Sequence, residues 1–456
     1  MGLGLARETT RTFEELRSRE FKRLDEAGHA YLDYTGSGLY PESLITEHAD
    51  FLRTTLLGNP HSEGSASAHS TRIIEDARRR VLEFFDADDE KYAVCFTANA
   101  SAALKLVGEA YRFEKGSRLA LVADNHNSVN GIREYARARG AVIDYLPLTD
   151  ELRAMGEPGE ILPEVEVSSG NLLAYPAQSN FSGVQHPTSL IDEAHDKGYE
   201  VLLDAAAFVP TNRLSLHEAS PEFVCISFYK MFGYPTGVGA LIGQREALSR
   251  LNRPWFAGGT VEYVSVQNRL HQMQSSAEAF EDGTPNFLSI SAVPRGLDFL
   301  DHIGIEKIHD HVERSTRILL DGLRNLEHEN GAPKVLIYGP LDMKDRGGAV
   351  AFNFIDQEGH VIPYKLGDKR ASDINISLRG GCFCNPGAAE AALHIDADQS
   401  YECLESFSPG EFSLDRFAAC LDSEAVGALR VSVGVASNDE DVNRSPEDPT
   451  FDGVFS

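Results

Sequence analysis

Long apolar runs are absent from this 456-residue chain, in which no stretch of about 18 apolar residues occurs. That absence argues against a membrane span. The first seven residues also lack the apolar core of a signal peptide, so we expect a cytoplasmic protein. Apolar residues nevertheless make up 42% of the chain, which indicates a globular protein rather than a disordered one. The length suggests two or three domains.

Lysine is scarce, since 11 lysines accompany 31 arginines, and these 42 basic residues face 70 acidic ones. The formal charge of −28 argues against nucleic acid and anionic membranes as partners, because both would repel an acidic surface. A well-hydrated acidic surface is the simplest interpretation of this composition.

Cysteine is infrequent as well, and six cysteines in a chain of this length do not make a disulfide scaffold. Cys95 and Cys225 lie in apolar runs, where we expect unreactive core thiols. Cys403 and Cys420 lie in the acidic, irregular segment 394–422, which is either a partner-docking loop or a simple insertion.

Cys382 and Cys384 differ from the other cysteines, because they lie together in a glycine-flanked loop. Their spacing is that of half a zinc site, but no second cysteine or histidine pair at metal-binding spacing is evident in the sequence. We therefore expect no metal. A loop position suits a thiol that must move between two partners.

Helical and strand patterns alternate between about residues 70 and 242. This alternation predicts a mostly parallel sheet covered by helices, in which ligands bind at the carboxyl ends of the strands. Helices are predicted at 71–85, 102–111 and 129–139. Strands are predicted at 92–96, 119–123, 141–146, 171–175, 201–203, 223–227 and 239–242.

A different pattern follows residue 290 and predicts a smaller α+β domain. Its elements are a helix at 305–326 and strands at 335–338, 349–354, 374–378 and 427–433. We divide the chain into an N-terminal segment with a helix at 13–24 that packs on the small domain, a large domain, the small domain with the cysteine loop, and an acidic, loosely ordered tail. These four parts span residues 1–30, 31–290, 291–437 and 438–456.

An acid and a lysine end two successive predicted strands. Asp204 follows an apolar run, and Lys230 lies just beyond the next run. This arrangement suits pyridoxal phosphate (PLP), whose aldehyde forms a Schiff base with a lysine and whose pyridine nitrogen pairs with a carboxylate. The alternative is a turn aspartate and a surface lysine.

Two further positions fit the same cofactor. The segment 96–102 joins a strand to a helix with small residues, and Ser101 offers a hydroxyl where a helix N-terminus would bind phosphate. An ordinary helix N-cap explains this segment equally well. His126 follows the strand 119–123 and could stack on a flat ring, or it could be a surface loop histidine.

Four segments together resemble the class V aminotransferase and cysteine desulfurase family. They are most similar to the N-terminal PLP domain of molybdenum cofactor sulfurases, and the resemblance covers about residues 31–441. It implies PLP-dependent transferase fold type I, an α/β fold with a mostly parallel seven-stranded sheet and a smaller C-terminal α+β domain. The four segments are 204–210, 227–237, 280–286 and 379–388.

The resemblance also implies a role for each site residue. Lys230, Asp204, His126 and Cys384 would be catalytic, with His126 stacked on the PLP ring and Cys384 taking up sulfur. A second group would complete the site: Ala100, Ser101, Ser227 and Tyr229 around the phosphate, Asn180 near the phenolic oxygen, Gly259 and Thr284 reaching the partner subunit's phosphate in a homodimer, and Arg430 and Arg379 at the substrate carboxylate.

The implied activity is removal of sulfur from L-cysteine, which leaves alanine and a persulfide on Cys384 for transfer to a protein or cofactor acceptor. Tyr229 and Ala207 replace a histidine and a glutamine of ordinary desulfurases, and both changes fit the molybdenum cofactor sulfurase type. The alternatives are a PLP-dependent C–S lyase, selenocysteine lyase, aminotransferase or epimerase that forms no persulfide. A non-catalytic sulfur-delivery scaffold is a third hypothesis, which the presence of both Lys230 and Asp204 disfavours.

Overall fold

We describe the fold from a computed structural model. It describes residues 12–60, 62–155, 162–165, 170–408, 410–421 and 426–447. Within these ranges, no helix combines the length and the apolarity that crossing a membrane requires.

Fifteen strands form among the described residues, numbered here in chain order. They are β1 (Ala30–Tyr31), β2 (Tyr92–Thr97), β3 (Arg118–Val122), β4 (Val142–Leu146), β5 (Leu172–Pro176), β6 (Glu200–Asp204), β7 (Phe223–Ser227), β8 (Gly239–Gln244), β9 (Val261–Ser265), β10 (Leu270–Met273), β11 (Val335–Tyr338), β12 (Ala349–Phe354), β13 (Ile376–Ser377), β14 (Arg379–Gly381) and β15 (Ala428–Ser432).

The large domain is built on a seven-stranded sheet in the order β2-β8-β7-β6-β5-β3-β4. The strands β4, β3, β5, β6 and β7 pair in parallel, whereas β8 runs antiparallel to both β7 and β2. The predicted seven-stranded, mostly parallel sheet is therefore confirmed.

The central strands are apolar on both faces because both faces are covered. Successive side chains of a strand point to opposite faces. In β5, Leu173 and Tyr175 join the core on one side of the sheet, while Leu172 and Ala174 join the core on the other side. All four side chains are fully buried, which leaves the strand ends as the place for polar groups.

The helices cover this sheet and the small domain. Three predicted helices differ in extent: the one predicted at 71–85 begins earlier, and those predicted at 13–24 and 129–139 are each divided in two. The helices are 12–20, Arg23–Glu26, Glu42–Thr54, Ser65–Phe84, Ala100–Ala110, Asn127–Asn130, Ile132–Ala138, Ser189–Asp196, Phe228–Phe232, Arg245–Arg250, the 3₁₀ helix Ala277–Phe280, Phe287–Ile290, Val293–Ile303, Ile305–Arg324, Tyr364–Asp373, Pro386–Ala392, Ala397–Ser406, Leu414–Cys420 and Asp439–Glu447.

The small domain has an antiparallel sheet in the order β11-β12-β15-β14. The short strand β1 pairs in parallel with β13, which ties the N-terminal segment to this part of the chain. Of the strand predicted at 374–378 only β13 forms, and the unpredicted strand β14 directly after it belongs to a different sheet. The domain boundaries given above stay a prediction.

Two features of the C-terminal region depart from expectation. The acidic tail, predicted to be loosely ordered, contains the helix Asp439–Glu447, and Asp439 pairs with Arg314 at 2.6 Å. Residues 448–456 of the tail lie outside the described residues. Cys403 and Cys420 form a disulfide between two short helices. Disulfides are uncommon in reducing compartments, and the cytoplasmic location stays a prediction.

Candidate active site

A cavity opens at the carboxyl ends of β5, β6 and β7. Eight of the predicted site residues line it: Ala100, Ser101, His126, Asn180, Asp204, Ser227, Tyr229 and Lys230. Asn99, Leu104, Pro176, Gln178, Ala206 and Ala207 complete the lining. Asp204 and Ser227 end strands, and the other polar groups lie in the loops or the first helical turns that follow strands.

Lys230 and Asp204 face this cavity from neighbouring strands. Asp204 ends β6, and its Oδ1 accepts the backbone N–H of Ala206 at 3.1 Å, which fixes the carboxylate. Lys230 lies in the one-turn helix Phe228–Phe232 directly after β7. Burial lowers the pKa of the Lys230 amine, and the negative charge of Asp204 acts against this effect. An amine with a lowered pKa is a better nucleophile and base near neutral pH.

His126 is held as a neutral ring. Its Nδ1 accepts the backbone N–H of Ser128 at 3.1 Å, so a neutral ring carries its proton on Nε2. Burial lowers the pKa of His126, and the positive charges of Lys230 and Arg430 lower it further, whereas Asp204 raises it. The ring therefore adds no positive charge beside Lys230.

Hydroxyl groups and a helix N-terminus form one end of the cavity. The helix Ala100–Ala110 begins there, and Asn99 caps it by accepting the N–H of Ala102 at 3.0 Å. The N–H of Ala100 donates to Ser227 Oγ at 2.8 Å, which leaves the Ser227 hydroxyl proton for a ligand. Ser101 and Ser128 share a hydrogen bond of 2.6 Å. This end suits an anion.

The loop that carries Cys384 is tied to the cavity wall. Asn127 donates its backbone N–H to the Cys384 carbonyl at 2.7 Å, and Asn180 Nδ2 donates to the Phe383 carbonyl at 2.7 Å. Phe383 and Cys384 have φ angles of +55° and +58°, which ordinary residues rarely adopt. The Cys384 side chain is exposed, so the loop presents a free thiol beside the site.

Arg379 and Arg430 lie directly opposite each other on β14 and β15. Asp33 lies between them and accepts hydrogen bonds from both. Arg430 is 2% exposed, and burial lowers its pKa. Its Nη1 donates to the Asn180 carbonyl at 2.8 Å, whereas its buried Nε has no hydrogen-bond partner among the described residues.

Residues 30–444 match the family model of class-V aminotransferases. The chain belongs to the class-V aminotransferase family. Human molybdenum cofactor sulfurase is 36% identical over 452 residues, which cover 94% of this chain and 50% of the human protein. Molybdenum cofactor sulfurase from Solanum lycopersicum is 34% identical, with 94% and 56% covered. The chain thus spans about half the length of the curated relatives it matches.

The fold of this class-V aminotransferase is shared with a solved enzyme of different sequence. The apo structure of a cysteine desulfurase from Thermococcus onnurineus superposes with a TM-score of 0.75 at 23% identity, covering 94% of this chain and 95% of the other. The likeness confirms the predicted α/β architecture, PLP-dependent transferase fold type I.

Five predicted site residues do not line the Lys230 cavity: Cys384, Arg379, Arg430, Thr284 and Gly259. The last two also have no contact with the lining among those described above. Thr284 is exposed and lines a separate groove with residues 281–286, and Gly259 lies in a turn at φ +86° before the hairpin β9–β10. The single chain therefore does not bring them to Lys230. Their predicted contact with a second subunit stays a prediction.

Sequence reasoning missed Asp33, Ser128 and Asn385. Asn385 is fully buried, and its side chain donates to the Asp124 carbonyl at 2.6 Å and to Asn180 Oδ1 at 2.9 Å. It lies inside the matching segment 379–388, which was a usable signal. Asp33 ends an N-terminal strand pattern and gave only the weak signal of an acid after apolar residues.

Proposed function

We propose that this chain is a PLP-dependent sulfurtransferase that removes sulfur from L-cysteine and places it on Cys384. The observation that carries the proposal is the attachment of the Cys384 loop to Asn180, which lines the Lys230 cavity, and to Asn127, which follows the lining residue His126. A free thiol held there suits a sulfur-accepting group. The names of the relatives and of the Thermococcus structure support the same activity.

The cavity fits PLP. Lys230 would hold the aldehyde, and Asp204 would pair with the pyridine nitrogen. The helix N-terminus at Ala100, with the hydroxyls of Ser101 and Ser227, would hold the phosphate. When bound, PLP supplies an electron sink that stabilises negative charge at the substrate Cα.

The chain's own residues supply the proton transfer and the orientation. Lys230 Nζ, with its lowered pKa, is the group that takes a proton from the substrate Cα. The neutral ring of His126 provides a flat surface. Arg430 and Arg379 hold the substrate carboxylate, since a guanidinium pairs with a carboxylate through two hydrogen bonds.

The sulfur step balances without an added oxidant. The Cβ–S bond of cysteine breaks, and a new S–S bond forms with Sγ of Cys384. The displaced carbon gains a proton, so cysteine and the Cys384 thiol become alanine and a Cys384 persulfide. The thiolate is the attacking form of the thiol. The persulfide then passes its sulfur to a protein or cofactor acceptor.

The test uses purified protein loaded with PLP, supplied with L-cysteine and a reductant. Alanine and sulfide are measured in the native protein, in Cys384→Ala and in the matched control Cys382→Ala. We expect alanine formation to be lost in Cys384→Ala and kept in Cys382→Ala. Equal alanine formation in all three proteins would reject the persulfide role and favour a C–S lyase. A protein that binds PLP but ignores cysteine would favour another substrate.

A homodimer is part of the proposal. The hairpin β9–β10, next to Gly259, exposes Tyr263 at 66%, Val266 at 90% and Leu270 at 67%. An exposed apolar patch of this kind is typical of an interface. A second copy on this face would cover the hairpin and bring the partner's loop toward the phosphate end of the cavity.

A further inference from the structure

We propose that Asp33 is a positioning residue, which holds Arg379 and Arg430 together as one binding site for the substrate carboxylate. The inference rests on the proposed function, because it assigns Asp33 a part in substrate binding at that site. Asp33 itself does not have to touch the substrate.

Asp33 contacts both arginines directly. Asp33 Oδ2 accepts from Arg379 Nη2 at 2.6 Å and from Arg379 Nε at 3.1 Å, which is a two-pronged contact. Asp33 Oδ1 accepts from Arg430 Nη2 at 2.8 Å. Oδ1 also accepts from Arg379 Nε at 3.2 Å, so both carboxylate oxygens are used and Oδ1 is shared by the two arginines. The two guanidinium groups are held by one acid rather than by separate partners.

Asp33 also offsets the repulsion between the two arginines. Arg379 and Arg430 are direct cross-strand neighbours, and like charges at such positions repel. Burial already lowers the pKa of Arg430, and the charge of Arg379 lowers it further, whereas Asp33 raises it. The three groups together keep one net positive charge. One substrate carboxylate would neutralise it, and the unpartnered Nε of Arg430 supplies a donor for that carboxylate.

Little space is left around the contact between Asp33 and Arg379. A Cβ added at Gly36 would lie 2.5 Å from Asp33 Oδ2 and 2.6 Å from Arg379 Nη2. A side chain at position 36 would therefore force the Asp33 carboxylate or the Arg379 guanidinium to shift. The backbone beside Asp33 is also fixed to the strand that carries Arg430, since Thr35 N donates to Ser432 Oγ at 2.9 Å.

Two variants disturb the contact in different ways, and a third is the control. Asp33→Asn removes the charge and keeps the size of the side chain. Gly36→Ala changes no charge and acts only through the space between Asp33 and Arg379. Asp368→Asn removes another acid that acts electrostatically on Arg379 but has no hydrogen bond to it among the contacts of the described residues.

The measurement is ligand binding to the PLP-loaded proteins, followed through the visible absorbance of the cofactor. L-alanine carries a carboxylate, and ethylamine has the same amine without one. We expect Asp33→Asn to weaken L-alanine binding about tenfold to a hundredfold, the range for losing charged hydrogen bonds. Gly36→Ala should weaken it in the same direction, and Asp368→Asn should leave it unchanged. Ethylamine should bind all four proteins alike.

Other outcomes overturn the inference. These are unchanged or tighter L-alanine binding in Asp33→Asn, an equal loss for ethylamine, or a native protein that prefers ethylamine to L-alanine. Thermal unfolding of each variant shows whether it is folded. If Asp33→Asn does not fold, L-alanine binding by Gly36→Ala tests the role of Asp33 instead. A native protein that binds L-alanine but releases no sulfur from L-cysteine would reject the desulfurase proposal alone, because the carboxylate comparison needs no sulfur chemistry.

Discussion

The buried residue His311 is expected to make the stability of the fold depend on pH. It lies on the helix Ile305–Arg324, is 4% exposed, and stacks on Phe13 with ring centroids 4.0 Å apart. Its Nε2 donates to the Ser437 carbonyl at 2.9 Å. Burial lowers its pKa from 6.5 to about 4, because a charged ring would lose its hydration there.

The sign follows from linkage. A group whose pKa is lower in the folded state binds fewer protons there than in the unfolded chain, so its stabilising effect is complete above pH 6.5 and is lost as the pH falls toward 4. With those two pKa values, lowering the pH from about 7.5 to about 5 decreases the free energy of unfolding by about 2 kcal/mol through His311. The full effect at still lower pH is about 3 kcal/mol.

The assay is chemical denaturation of native protein and His311→Gln at these two pH values. Glutamine can still donate to the Ser437 carbonyl but does not titrate. The pH dependence of stability that remains in the variant therefore comes from the other groups, which both proteins share. We expect the native protein to lose about 2 kcal/mol more than the variant on acidification. An equal loss in the two proteins would refute the reasoning, since it would mean that His311 does not change its protonation on unfolding.

Three other predictions concern the site, the chain termini and the interface. Lys230→Ala should keep the native melting temperature without PLP but fail to develop the visible band that the native protein shows with PLP; a normal band in the variant would contradict the assignment. Arg17→Ala should lower the free energy of unfolding by about 3–5 kcal/mol, because the buried Asp441 carboxylate, 2.5 Å from Arg17, loses its partner. Denaturant titration measures this loss. A loss below about 1 kcal/mol would mean that the pair is as weak as a surface ion pair. Val266→Asp should convert dimer to monomer in sedimentation, whereas Glu262→Gln, on the same hairpin, should not; a native monomer would reject the interface.

The sheet could be predicted because its signal is local. Buried parallel strands need continuous apolar runs, and residues 172–176, 201–203 and 223–227 are such runs. The division of the segment 374–381 into β13 and β14 could not be predicted. It depends on two different partners, β1 and β15, which are distant in sequence.

The residues of the candidate site also fall into those that the sequence could predict and those that it could not. Lys230 and Asp204 could be identified because each directly follows its own apolar strand, so a one-dimensional pattern places them at one sheet edge. The contact between Asp33 and the two arginines spans 346 residues to Arg379 and 397 residues to Arg430. No spacing rule connects such positions. The Cys403–Cys420 disulfide was missed for a related reason, since 17 residues of separation indicate nothing without the two helices that bring the sulfurs together.

Asn180 links Arg430 to the loop that carries Cys384. Its backbone carbonyl accepts from Arg430 Nη1, while its side-chain amide donates to the Phe383 carbonyl, one residue before Cys384. The Arg430 guanidinium also lies 4.8 Å from the Phe383 ring centroid. The group that would hold the substrate carboxylate and the loop that presents the thiol are thus fixed to the same residue. A substrate anchored at Arg430 would have its sulfur placed relative to Cys384 by short, buried contacts, although Cys384 itself is exposed. In the proposed function, the exposed thiol of Cys384 would then serve both the substrate and an external acceptor.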